Sequence, residues 1–284
     1  MTRERVAITG SAGYIGSLLC EAFAPHAEVF RLSRAAGYEL SRVERIAGWL
    51  DELAPEVILH CANYGNLQAC AASPEASSVV NVEATRAIAE YARQRQAYLV
   101  FLSSDYVFDG ERGSYTELDA PEPRNQFGRT KLEAERAIAE LCPERALVLR
   151  TSGVYGRSAS KPCAWDTWAI RRLSAGLSVD AFSEIYNTPT FIGDLVEGIE
   201  ACVARRVAGV FHLAGPERMS RLEFARELGK WLGAPPELVR AAPQRAHENF
   251  FRPRDVSLVN GPILTWVGAP RPLARALPLC GYGP

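Results

Sequence analysis

Residues 6–16 read VAITGSAGYIG, and residues 17–23 continue SLLCEAF. A short apolar strand over 6–9, a turn carrying Gly10, Gly13 and Gly16, and an apolar helix over 17–23 follow one another directly. That context gives a glycine pattern meaning. Gly10 permits the tight turn, Gly13 lets a pyrophosphate approach the backbone, and Gly16 lets the helix lie close to the strand. The helix start then offers free N–H groups and a positive dipole end to phosphate. Ala12, Tyr14 and Ile15 share this loop and are expected to line the dinucleotide with it.

Working outward, apolar strands over 28–33, 57–60, 98–102 and 146–150 alternate with amphipathic helices over 43–53, 81–93 and 130–141. Unbroken βα alternation predicts a doubly wound parallel sheet, Rossmann-like, with a dinucleotide-binding core over 1–150. Asn81 is placed as the N-cap of its helix or as a residue that bends a helix near the site. After residue 150 the elements change: a helix over 166–173, a strand over 179–182, a helix over 192–204, a strand over 207–214, and a helix from Ser220 to Leu232. Residues 151–284 read as a small C-terminal substrate-binding portion interleaved with the core.

The bulk numbers agree with this class. The 284 residues are 48% hydrophobic and carry a formal net charge of -1, so a sizeable core is available and nucleic acid is not an expected partner. No apolar run reaches the ~18–20 residues of a membrane-spanning helix, and no membrane partner is expected. MTRERVAITG enters a strand at once, without the apolar run of a signal peptide. The seven cysteines have no CxxC spacing, which disfavours a disulfide framework or a zinc site and suits free thiols in a reducing compartment. A cytoplasmic protein is the expectation.

The strand ends locate the chemistry. The second strand ends Leu32-Ser33-Arg34, where NAD binders carry an acid for the ribose 2′-hydroxyl. No acid stands there to repel a 2′-phosphate, and Arg34 suits one, so NADP(H) is preferred with NAD(H) left open. Arg34 as a solvated loop charge is the plain alternative. The third strand ends at Cys61-Ala62-Asn63, at the ligand crevice, with His60 read as a satisfied core histidine. The strand over 98–102 delivers Ser103 and Ser104 to the same crevice. Lys131 follows on a helix, and Phe127, four residues earlier, shares its face. A reductase wants a hydroxyl, an ammonium and a proton donor converging there. Ser104 and Lys131 supply the first two, and Phe127 has no proton to give. Trp165 and Trp168 either stack on a base or pack in the core, and their polar neighbours favour the cleft. Arg157, Lys161, Arg171 and Arg172 are candidate diphosphate contacts or ordinary surface charge.

Beyond these residue-level readings, the chain resembles an extended short-chain dehydrogenase/reductase over nearly its whole length, and within that class the dTDP-4-dehydrorhamnose reductase group. The resemblance rests on TGSAGYIG (9–16), SSDYVFDG (103–110), PRNQFGRTK (123–131), RTSGVYG (150–156), NTPTFIGDL (187–195) and RPRDVSL (252–258). It implies NADPH- or NADH-dependent reduction of a keto carbon on a nucleotide-linked sugar. The group also includes the NADP-binding regulatory subunit of methionine adenosyltransferase. In the family a Ser or Thr polarises the carbonyl, a Tyr gives it a proton, and a Lys four residues later binds the nicotinamide ribose. Those roles fall on Ser104, position 127 and Lys131. Asp105, Tyr106 and Asn125 match positions on the substrate side, with Tyr106 also close enough in sequence to serve chemistry. Residues 157–168 depart from the family's loop, which carries an Asn-Phe pair. The partners implied are a small-molecule, nucleotide-linked or similarly polar substrate, with a homodimer left open.

Phe127 leaves four readings. The chain is an engineered Tyr-to-Phe variant; or it reduces its substrate with another donor, among them Tyr106, Tyr115, Tyr155 or an ordered water; or it runs non-redox chemistry on the same scaffold; or it is an inactive, NADP-binding regulatory subunit.

Overall fold

The computed structural model describes residues 3–156, 164–243 and 251–281. Its centre is a six-stranded parallel sheet. In chain order the first elements are β1 (Glu4–Thr9), α1 (Tyr14–Phe23), β2 (Ala27–Leu32), α2 (Val43–Leu53) and β3 (Val57–His60). Then come α3 (Leu67–Ala72), α4 (Pro74–Ser78), α5 (Ala84–Arg95), β4 (Tyr98–Ser104), α6 (Gln126–Leu141) and β5 (Ala146–Thr151). The remainder contributes α7 (Ala164–Ser174), β6 (Val179–Phe182), β7 (Tyr186–Asn187), α8 (Ile192–Arg205), β8 (Gly209–His212), β9 (Met219–Ser220), α9 (Arg221–Leu232) and β10 (Val239–Ala242).

The strand order is β2-β1-β3-β4-β5-β8. β3, β4 and β5 are buried along their whole length. Their near-continuous apolar runs are what a parallel strand covered on both faces requires. Side chains alternate across the sheet. Ile8, Leu59, Val100 and Leu147 join Leu19 and Phe23 of α1 and Ile199 of α8 in one core. Ala7, Ile58, Leu99 and Val148 join Leu50 of α2, Ile88 of α5 and Ile138 of α6 in the other. β8 pairs with β5 in this main sheet, while β6 with β10 and β7 with β9 form two small sheets of their own.

Strand order reverses between β1 and β3, and such a switch point opens a crevice beyond the carboxyl ends of the strands. Thr9–Gly10, His60–Cys61 and Ser104 all end there. Asn81 is not an N-cap. It sits in a π-helical turn (Val79–Glu83) inside one continuous helical run from α4 into α5. Its side-chain oxygen accepts from the Tyr64 N–H at 2.7 Å, and its Nδ2 donates to Thr130 Oγ1 at 2.9 Å. The widened turn thereby ties the loop after β3 to α6, the helix that carries Lys131. No helix among the described residues is long and apolar enough to cross a membrane.

Candidate active site

The first half of the site is made by backbone. Gly10 has φ +65°, and a Cβ on it would lie 2.8 Å from Ala62 Cα, so β1 and β3 close on each other only through glycine. A Cβ on Gly16 would meet the Gly10 carbonyl oxygen at 2.3 Å. The Gly13 N–H donates to Gly10 O at 2.7 Å, and α1 begins at Gly13 with no side-chain cap. Its first N–H groups therefore face the crevice for an anion to take. A cleft of about 1370 Å³ runs from this turn past Ala12, Ser33, Arg34, Cys61, Ala62 and Asn63. Space, uncapped N–H groups and a guanidinium together fit a dinucleotide with a phosphate on its ribose.

Details adjust the individual residues. Ser33 caps the short turn after β2, accepting from the Ala36 N–H at 3.3 Å, and Arg34 stands exposed beside it. The Tyr14 hydroxyl donates to Gly156 O at 2.7 Å, clamping the start of α1 to the turn after β5. Ile15 packs against the core beside Leu18. Cys61 forms part of the cleft wall, and burial pushes its thiol up to about 12, away from the thiolate. Asn63 donates to Gly65 O at 2.6 Å and shapes its own loop. Tyr38, Glu39, Leu40 and Ser41 also line the cleft and escaped the sequence reading. The one signal for them is their place just past the end of β2.

The second half is made by side chains. α6 starts at Asn125, whose side-chain oxygen accepts from the Gly128 N–H at 2.8 Å while its Nδ2 donates to Phe251 O at 3.2 Å. Both ends of that amide are engaged, so in this structure Asn125 starts the helix. A Cβ on Gly128 would lie 2.0 Å from the Tyr106 carbonyl oxygen. The glycine lets α6 press against the turn after β4. It thereby brings Lys131 against β4 and the Phe127 ring against Tyr106. Lys131 is buried, donates to Leu102 O at 2.8 Å, and lies 4.7 Å from the Phe101 ring centroid and 5.8 Å from that of Phe127. Burial pulls its ammonium down to about 8, only partly opposed by Cys61 and Glu135. The Tyr106 ring meets Phe127 edge-on at 6.1 Å. Burial and the Asp105 carboxyl push the Tyr106 hydroxyl up, against the pull of Arg252 and Arg221.

His60 is a core residue, as its sequence context suggests. It bridges Thr9 Oγ1 at 2.6 Å and Thr85 Oγ1 at 2.9 Å, and burial pulls it down to about 3. Two proposed substitutes for the missing tyrosine are ruled out by position. The Tyr115 hydroxyl donates to Asp109, and its ring stacks on Phe108 at 4.3 Å. Tyr155 packs in the core between Phe191 and Phe224, at 6.0 and 5.1 Å. Trp165 is half-buried against the core, with its ring 5.9 Å from Phe224 and the Arg221 guanidinium 4.4 Å from it. Trp168 lies half-exposed beside it, with the Arg172 guanidinium 5.5 Å from its ring. Arg172 also donates to Ser178 O at 2.7 Å, and Arg171 is exposed; Arg157 and Lys161 lie outside the described residues.

A buried charge cluster behind the corner was not visible in the sequence. Glu135, one turn beyond Lys131, takes three bonds from Arg150 of β5, at 3.0, 3.2 and 2.7 Å, and one from the Ser103 hydroxyl. The Arg150 guanidinium lies 5.1 Å from the Phe108 ring centroid. This fork joins β4, β5 and α6 directly under the reactive groups.

A parallel sheet with a glycine cradle, and a Ser–Lys pair at the next strand end, define a Rossmann-type fold of the extended short-chain dehydrogenase/reductase kind. The model of the RmlD substrate binding domain matches residues 4–276, and the chain belongs to that family. It is 30% identical over 289 residues to dTDP-4-keto-6-deoxy-D-glucose reductase of Streptomyces niveus, covering 97% of each chain. It is 30% identical over 272 residues to methionine adenosyltransferase 2 subunit beta of Bos taurus, covering 90% of this chain and 80% of that one. Among solved structures, dTDP-4-dehydrorhamnose reductase from Yersinia enterocolitica superposes with a TM-score of 0.87 at 28% identity, covering 95% of each chain.

Proposed function

We propose that this chain reduces a keto group on a nucleotide-linked sugar, with NADPH as the preferred electron donor. What supports the reading is the glycine-lined cleft together with β4, which ends in Ser104 and whose Leu102 carbonyl takes the Lys131 ammonium at 2.8 Å. The glycine turn would hold the pyrophosphate, Arg34 the 2′-phosphate, and Lys131 the nicotinamide ribose. When bound there, the dinucleotide supplies a hydride. Ser104 orients and polarises the carbonyl, and the half-buried faces of Phe127 and Tyr106 keep water off the reacting carbon. In this reading Trp165, with Arg221 on its face, would receive the nucleotide end of the substrate. Lys131 sits close to its own titration point, so its charge responds to a dinucleotide phosphate or ribose arriving nearby.

The test is NADPH oxidation with dTDP-4-keto-6-deoxyglucose, expected to proceed in the unaltered chain and to fall ~10²–10⁴-fold in Ser104→Ala with NADPH affinity unchanged. Absence of turnover in the unaltered chain would defeat the reading.

Phe127 favours a second reading, a dinucleotide-holding partner of another enzyme. One relative is named as the subunit of a methionine adenosyltransferase. That reading expects tight NADP binding, no ketone reduction, and co-elution with a partner enzyme on a sizing column.

A further inference from the structure

Reduction of a ketone needs one proton besides the hydride, and position 127 has none. The nearest acid to Ser104 is its own neighbour. Asp105 is 3% exposed. The Ser104 hydroxyl donates to Asp105 Oδ1 at 2.8 Å, and the Ser152 hydroxyl donates to Oδ2 at 2.5 Å. Ser152 is held in turn by the Thr188 N–H at 3.3 Å, and Ser104 Oγ accepts the Tyr106 N–H at 3.2 Å.

Counting donors and acceptors shows what this arrangement can do. A hydroxyl has one proton and two lone pairs. While Asp105 is ionised, the Ser104 proton is committed to Oδ1 and is turned away from any substrate oxygen. When Asp105 is protonated on Oδ1, it becomes the donor. Ser104 then takes that proton on its second lone pair and points its own into the cleft. Oδ2 is already tied to Ser152, which leaves Oδ1 as the seat of the acid proton.

We infer that Asp105, acting through Ser104, is the proton source that replaces the missing tyrosine. This rests on the reductase reading. The carbonyl carbon is reduced by the hydride of the dinucleotide, which is oxidised in the same event. The carbonyl oxygen forms its O–H bond with the Ser104 proton, Ser104 Oγ takes the Asp105 proton, and Asp105 is left as carboxylate. One proton from water restores the acid when the alcohol leaves. Burial pushes the Asp105 carboxyl up to about 6, against the pull of the Ser152 and Ser104 hydroxyls. The groups facing it are the Ser104 and Ser152 hydroxyls on its two oxygens and Tyr106 in the same turn, whose own hydroxyl feels Arg252 and Arg221. Tyr106 is the competing donor. Its hydroxyl is engaged with Arg252, and its bond to Ser104 comes from the backbone N–H, not from the phenol.

The first measurement needs no turnover. In NADP-bound protein labelled with ¹³C at aspartate carboxyls, one resonance, absent in Asp105→Asn, titrates well above the ordinary carboxylate range. It moves to higher pH in Ser152→Ala, which removes a bond to the anion. The second is kinetic. With dTDP-4-keto-6-deoxyglucose, kcat falls about tenfold per pH unit above that titration, Ser152→Ala moves the limb upward, and Asp105→Asn lowers kcat ~10²–10⁴-fold with NADPH affinity held. An Asp105 carboxyl titrating near 4 overturns the relay. So does an Asp105→Asn variant as fast as the unaltered chain, or a collapse confined to Tyr106→Phe. An unaltered chain that oxidises no NADPH overturns the reductase reading and the relay together. That outcome is distinct from relay failure alone, where the unaltered chain turns over and Asp105→Asn matches it.

Discussion

The two halves of the crevice are built of different material. The cradle around Gly10, Gly13 and Gly16 is backbone: its geometry comes from missing side chains and its donors are peptide N–H groups. The corner around Ser104, Phe127 and Lys131 is side chain. Burial shifts its titrating groups, Lys131 downward and Asp105 upward. A dinucleotide asks only for space, N–H groups and a positive edge. Proton transfer asks for one particular hydrogen at one particular place. Changing one oxygen at position 127 therefore leaves the cradle as it was and removes a chemical step from the corner.

Several changes test that division, beginning with the largest effect. In the Asp105→Asn background, Phe127→Tyr restores a donor and raises kcat ~10²–10⁴-fold, because the ring already stands beside Lys131; steady-state kinetics checks it. In the unaltered background the same change carries activity further into alkaline pH. Glu135→Ala leaves Arg150 buried without its partner and destabilises the chain by about 3–5 kcal/mol in denaturant titration. It also releases the Ser103 hydroxyl, so activity falls along with stability. On the cradle side, Gly16→Ala drives a methyl into the Gly10 carbonyl, at a cost of about 1–3 kcal/mol, and NADPH affinity falls without any change in the pH profile of the corner. Arg34→Ala is the mildest. Loss of one exposed charge-assisted contact lowers NADPH affinity about tenfold and leaves NADH affinity unmoved, as calorimetry would report. Gly16→Ala or Arg34→Ala altering the alkaline limb of kcat would break the division between the halves.

The elements were legible wherever burial imposes a period. The strands over 57–60 and 179–182 match to the residue, because a short apolar run sets their limits, and the apolar face Val43, Ile46, Leu50, Leu53 marks the helix before Pro55. The start of α6 was placed at 130, although the helix begins at Gln126, because its signal is the Asn125 cap and not an apolar residue. The strand over 207–214 is shorter, Gly209–His212, since an apolar run does not say where pairing with β5 stops. Of the two places open to Asn81, the N-cap fails and the bend in a helix near the site holds, since a π-helical turn has no composition of its own to announce it.

Taken alone, the sequence determined the architecture and the cradle. Strand, glycine turn and helix are local and close by steric rules that act within about twenty residues. It also put Phe127 and Lys131 on one helix face and Ser104 at a strand end, since both elements are periodic. Only the tertiary structure decided what surrounds them. Ser103, Glu135 and Arg150 meet from three elements, and Asp105 meets Ser152 and, through it, Thr188. Such contacts join residues far apart in the chain. Their consequences for protonation arise from desolvation, which exists only once the core has closed over them.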